Sequence, residues 1–141
     1  TRLKLTVNET KTCIRTLPGE SFDFLGYTVG RVYSWKSHRL ILGTRPSRKK
    51  VRTVCDKIHE MTDRRWTWME ERDQIQRLNW VVKGWSNYFC YGYPRVAFRK
   101  VNQHVQLRLA CHLRRRSQRR FRPPKGQSLY QHLAELGLHR L

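Results

Sequence analysis

At 141 residues the chain has the length of one ordinary domain with a single core, and no room for two large ones. Thirty Lys and Arg against ten Asp and Glu leave a net charge of +20, with apolar residues at only 38%; such a field attracts polyanions, nucleic acid before an anionic membrane surface. No apolar run approaches the roughly 18 residues that a membrane span requires, and no secretory pattern opens the sequence, so a cytoplasmic protein with no membrane partner is expected.

Leu3, Leu5 and Val7 alternate with Arg2, Lys4 and Thr6, the period-two pattern of a strand, ended by Asn8-Glu9-Thr10. Leu17-Pro18-Gly19 signals a turn. The stretch from Phe22 to Val29, aromatic and β-branched, predicts a second strand that Gly30-Arg31-Val32-Tyr33 continues or bulges. Arg39-Leu40-Ile41-Leu42 is its return arm, with Ser34 to His38 as the hairpin tip. So few strands cannot bury both faces alone; they must pack on helices or complete a sheet supplied elsewhere. Gly43 to Pro46 breaks the pattern, and Ser47 is placed to cap a helix.

Val51, Val54, Cys55, Ile58 and Met61 trace a helical stripe that runs to about Arg65. Around its start, Arg45, Arg48, Lys49, Lys50 and Arg52 place five cations in eight residues. The helix dipole disfavours cations at that end, so the density points to phosphate contact. Thr67-Trp68-Met69-Glu70 has the capping-box pattern and predicts the start of a second helix that ends near Cys90. Within it Ile75, Leu78, Val82, Trp85 and Phe89 recur at spacings of three and four. Gly84 interrupts that helix at roughly 1 kcal/mol relative to Ala. A close crossing by a neighbouring backbone is the expected reason, in which case Leu at this position would overpack the bundle. Asn79, Lys83 and Asn87 supply its polar side.

Tyr91-Gly92-Tyr93-Pro94 ends the second helix, and Pro94 suits the first turn of a third. Phe98, Val101, Val105, Leu109 and His112 or Leu113 form its inward stripe, with Arg95, Arg99 and Arg108 on other faces. Arg114, Arg115, Arg116, Arg119, Arg120 and Arg122 then put six cations in nine residues without an acid. Pro123 to Gly126 reads as a linker, and Ser128-Leu129-Tyr130-Gln131 as a capping box that opens a short helix with Gly137 as its stop. That capped helix implies that the arginine run is held between two docked elements. The cysteines Cys13, Cys55, Cys90 and Cys111 lie far apart, with no Cys-x-x-Cys and no paired His at zinc spacing. They predict buried free thiols and no metal site. Fold class follows as α+β, mainly α: short N-terminal strands and a hairpin, then a three-helix bundle and a short C-terminal helix.

Four ordered stretches resemble one family. Phe22-Asp23-Phe24-Leu25-Gly26-Tyr27 is similar to the FDFLGF signature of group II intron reverse transcriptases, and Leu5 to Thr12 to their LxLNxxKT motif. Leu78-Asn79 through Gly84-Trp85-Ser86-Asn87-Tyr88-Phe89 resembles the LN…GWxNYF core of the maturase-specific region, and Leu113 to Arg116 with Leu136-Gly137-Leu138 resembles its ending.

The resemblance implies that residues 1–43 are the C-terminal end of the reverse-transcriptase palm and 44–141 the thumb and maturase region. Phe24, Leu25 and Gly26 would form the primer grip, and Lys11 would approach nucleotide phosphates, with a general-acid role towards pyrophosphate. The implied partners are group II intron RNA and an RNA template/DNA primer duplex, and a homodimer stays open. The paired catalytic Asp residues of the family are missing. Asp23, Asp56, Asp63 and Asp73 stand singly, so two-metal phosphoryl transfer has no ligands here. Mg2+ belongs to the full-length polymerase, this chain needs no cofactor, and alone it is expected to be inactive. Because Thr1 rather than Met begins the sequence, a piece of a longer protein is expected. The alternative is a stand-alone basic helical module that binds nucleic acid and has no polymerase parent.

Overall fold

A computed structural model describes residues 12–141; the expected first strand and Lys11 lie outside the described residues. A three-stranded antiparallel sheet in the order β1-β2-β3 is followed by four helices. The strands are β1 Phe22–Phe24, β2 Tyr27–Ser34 and β3 Arg39–Pro46. The helices are α1 Arg48–Met61, α2 Glu71–Tyr88, α3 Arg95–Arg115 and α4 Leu129–Glu135. The mainly helical α+β class is as the periodicities predict.

The sheet departs from its expected outline in two places. Phe22 to Val29 is not one strand, because Leu25 and Gly26 form a two-residue turn that pairs Phe24 with Tyr27. Both turn residues have positive φ, 49° and 86°, as a type I′ hairpin requires. Glycine takes that conformation freely, whereas a leucine there is strained by about 1–2 kcal/mol. Gly30 to Tyr33 continues the strand, with Gly30 in register with Gly43. Gly43 to Pro46 does not break the hairpin; β3 continues to Pro46 opposite Tyr27.

The helices bury the stripes that the sequence marks. Val54 and Ile58 of α1, Ile75, Leu78 and Val82 of α2, and Val101, Val105, Leu109 and Leu113 of α3 meet in one core, closed by Leu133 of α4. Ser47 caps α1, accepting from the Lys50 N–H at 3.3 Å. The capping box at Thr67 is not formed. A 3-10 turn at Arg64–Trp66 takes up that stretch, the Thr67 hydroxyl donates back to the Arg64 carbonyl at 2.9 Å, and α2 starts after Glu70. The box at Ser128 is complete on both sides.

Gly84 is exposed, and among the described residues a Cβ built there meets nothing within 4 Å. No described backbone crosses it, so a Leu at this position has room and the expected overpacking does not arise. The close approach lies instead at Gly92, φ 74°, where a Cβ would run into the Thr44 backbone and side chain. Tyr93, next in the chain, donates its N–H to the Thr44 carbonyl at 2.8 Å and lays its ring on Gly43. The α2–α3 connection is thereby fastened to β3. The cysteines also differ from expectation: Cys13 and Cys90 are exposed and Cys55 and Cys111 half-buried, all four as free thiols.

Arg108 does not lie on an outer face. It is 8% exposed and donates from Nε to the Thr62 hydroxyl at 3.1 Å and from Nη2 to the Thr62 carbonyl at 3.5 Å. His112 donates from Nδ1 to the same carbonyl at 3.3 Å. Thr62 is the C-cap of α1. A buried guanidinium without a carboxylate is tolerable there because the helix C-terminus carries partial negative charge and unpaired carbonyls. Burial, with the nearby Arg116, Arg108 and Arg115, holds His112 below the ordinary imidazole range against the pull of the Thr62 carbonyl. Burial does the same to His104, whose Nε2 donates to the Cys55 carbonyl at 3.0 Å.

Two outcomes follow. In urea denaturation, Gly84→Ala should gain about 0.5–1 kcal/mol, while Gly92→Ala should lose about 2 kcal/mol or more through left-handed backbone and contact with Thr44. A loss at Gly84→Ala would show that something does occupy the space beside it. The two depressed imidazoles mean that the unfolded chain binds protons more tightly near neutrality. Stability is therefore complete above about pH 6.5 and falls as pH drops below it. Thermal melts between pH 5 and 8 should show that slope in the parent and a shallower one in His112→Gln.

Candidate nucleic-acid interface

The turn at Leu25-Gly26 is held against the end of α2 by a reciprocal pair of hydrogen bonds. Tyr88 donates its hydroxyl to the Leu25 carbonyl at 2.9 Å, and Tyr27 donates its hydroxyl to the Tyr88 carbonyl at 2.6 Å. Burial keeps the Tyr27 phenol above its ordinary value, so it remains a neutral donor. The Ser47 N–H closes the same joint on the Gly26 carbonyl at 2.9 Å. The rings of Tyr27, Tyr88, Phe89, Trp85 and Phe98 continue inward with centroids 4.7–6.1 Å apart, within the range of favourable aromatic contact. Two motifs about sixty positions apart, Phe24-Leu25-Gly26-Tyr27 and Gly84 to Phe89, thus form one structural joint. Of the three residues expected to form a primer grip, Phe24 and Leu25 are exposed, and Gly26 packs against the Lys50 stem and the Phe89 ring.

This joint fixes the start of α1. Arg45 at the end of β3 and Arg48, Lys49, Lys50 and Arg52 on α1 are all exposed, and the first turn of α1 holds no acid. Arg95 and Arg99 are exposed at the start of α3, the same end of the bundle, where Arg95 stacks over Trp35 of the hairpin tip at 5.2 Å.

A second basic zone lies at the far end of α1, about 20 Å away along a helix of fourteen residues. Here α3 continues as far as Arg115, so Arg114, Arg115 and Arg116 form a helix end, where the dipole favours cations. Arg116 is bound to Glu71 at 2.9 Å, and Glu71 also reaches His132 at 3.6 Å. Arg119 and Arg120 follow in an exposed segment that Phe121 anchors to the core. Arg64 and Arg65 of the 3-10 turn are exposed at the same end, and the Arg65 N–H, helped by the charges of Arg65, His59 and Arg115, holds Asp63 below the ordinary carboxylate range. Trp66 lies under Arg77 at 4.5 Å, and exposed Trp68 sits 6.2 Å from it. Sequence inspection passes over this cluster; interleaved charge and aromatics in Arg64-Arg65-Trp66-Thr67-Trp68 are the signal that marks it.

Asn79 is tied to the C-terminal segment. Its Nδ2 donates to the Gly137 carbonyl at 2.7 Å and its Oδ1 accepts from the His139 N–H at 2.8 Å. Asn102 does the same with the Leu141 carbonyl and N–H, at 2.9 and 3.1 Å. The two amides clip the C-terminal segment across α2 and α3, so both polar atoms of the Asn79 side chain are engaged within the fold. Lys83 and Asn87 remain exposed on the outer face of α2, with Gly84 between them and Trp80 one turn earlier, 68% exposed.

Among the described residues no group of His, Cys, Asp and Glu can hold a metal ion, and no helix is long and apolar enough to cross a membrane. No curated protein and no solved structure matches the chain. One family model does, over residues 51–130: the group II intron, maturase-specific domain. That span takes in most of α1, all of α2 and α3, the arginine segment and the start of α4, more than half of the sequence. The chain therefore belongs to the group II intron maturase-specific domain family, which ties it to the splicing of those introns.

Proposed function

We propose that this chain is the RNA-binding thumb and maturase portion of a group II intron reverse transcriptase, which steadies the folded intron RNA during splicing. In such splicing the RNA carries the chemistry, and the protein supplies charge and shape complementarity. The observation that carries the proposal is the gathering of exposed cations at both ends of α1, with exposed tryptophans at hand and few carboxylates. Lys and Arg neutralise backbone phosphates, and Trp68 and Trp80 offer faces on which unpaired bases can stack. Two zones about 20 Å apart on a rigid bundle favour a folded RNA with two backbone segments at that separation over a single contact point.

The same proposal extends to copying of the intron. The turn at Phe24-Leu25-Gly26 would hold the primer strand of a template–primer duplex, and Lys11 would meet nucleotide phosphates. The catalytic carboxylates and their Mg2+ would come from the rest of a longer polymerase.

Arg114, Arg115 and Arg119 have no carboxylate bridge among the described residues, so their replacement by Glu tests binding with little effect on folding. Gel-shift titration of a structured intron RNA should show affinity reduced at least tenfold. The salt dependence should become shallower by about 0.7–0.9 log units per decade for each phosphate that is no longer neutralised. Unchanged affinity and slope in a variant that melts like its parent would reject the zone at the end of α3.

A further inference from the structure

Between the Leu25-Gly26 turn, α1 and α2 lies a cleft of about 590 Å³, a volume typical of small-ligand sites. We propose that it receives one unpaired nucleobase of an RNA strand, with the adjoining phosphates on Lys50 and Lys57; the assignment rests on the chain being an RNA binder. Two observations converge on a planar, anionic occupant. Trp85, Tyr88 and Phe89 line the cleft together with Val54 and Val81, an apolar aromatic surface against which any base can stack. Lys50 and Lys57 line it from α1, and among the described residues no carboxylate does. They stand two helical turns apart, about 10 Å, which suits two phosphates of one strand better than a single anion.

The cleft is preformed. Leu25 takes its left-handed backbone at the lip, and the reciprocal bonds between Tyr27, Tyr88 and the Leu25 carbonyl hold it there. Bases within a duplex have both faces covered, so the site selects single-stranded nucleotides.

The test uses the full chain with a short single-stranded RNA that carries one central 4-thiouridine, and a fully paired RNA duplex for comparison. Thr53 is exposed at the cleft, and its side chain is tied among the described residues only by the hydrogen bond its hydroxyl donates to the Lys49 carbonyl; Thr53→Trp therefore fills the entrance without disturbing the core. Photocrosslinks should map to Trp85, Tyr88 or Phe89. Thr53→Trp should abolish them and weaken single-strand binding about tenfold, in the range of base–aromatic stacking. Duplex affinity should not change. Crosslinks confined to residues 114–122, with single-strand affinity unchanged in Thr53→Trp, would overturn the assignment while leaving RNA binding intact. A parent chain that binds neither RNA would reject RNA binding and the cleft with it. A dimer of the parent that Thr53→Trp converts to monomer, without altering the crosslinks, would give the cleft to a second copy of the chain.

Discussion

Two tyrosine hydroxyls hold the sheet to the bundle. Tyr88 reaches from the last turn of α2 to the Leu25 carbonyl, and Tyr27 answers from the first residue of β2 to the Tyr88 carbonyl. Each bond joins groups otherwise left unpaired, at a helix C-terminus or a strained turn, so breaking either would strand an acceptor as well as loosen the joint. Because β3 runs directly into Ser47 and α1, this joint also sets where the first cations of α1 stand. Gly92 and Tyr93 fasten the other side of the sheet to Thr44 and Gly43. The three strands, too few to make a core of their own, take their support from these helix ends.

The opposite end of the bundle is fixed by a cation instead. Arg108 and His112 converge from α3 on Thr62, at the point where α1 runs out of internal hydrogen bonds. The helix terminus supplies the negative partial charge that a carboxylate would supply elsewhere. Gln74 of α2 donates to the Met61 carbonyl in the same place. All three long helices are thus tied at the C-terminus of α1, and the arginines of the 3-10 turn and of the α3 end are brought to one site. With both ends pinned, the two basic zones keep a constant separation, which a flexible tail of equal charge would not provide.

Much of this is legible in the sequence, for a physical reason: residues that face a core must repeat with the period of their element. Ile75, Leu78, Val82, Val101, Val105 and Leu109 are such residues, and all are buried. Local capping signals divide according to what lies beyond them. Ser47 and Ser128 cap as their side chains predict, whereas Thr67 does not, because Trp66 and Arg77 stack and the chain closes a 3-10 turn first. The remaining differences depend on partners distant in sequence. Arg108 reads as an outer-face residue because the α1 C-terminus that satisfies it is 46 residues away. The clip made by Asn79 is not legible because its partners lie 58 and 60 residues on. The crossing expected at Gly84 is one that Gly92 in fact makes. The residues proposed to meet RNA are legible as charge density, but their division between two ends of a bundle is not.

The chain's membership of the maturase-specific family and the placement of its cations meet in one claim: a rigid bundle engages folded intron RNA at two separated zones. Hydrogen exchange of the chain, read by mass spectrometry with and without a structured group II intron RNA, tests this most directly. The account predicts slowed exchange or new protection at both 44–52 and 114–122 when RNA is bound, with the core of α2 unchanged. Protection at neither zone, or binding accompanied by loosening of α2 and α3, would contradict it.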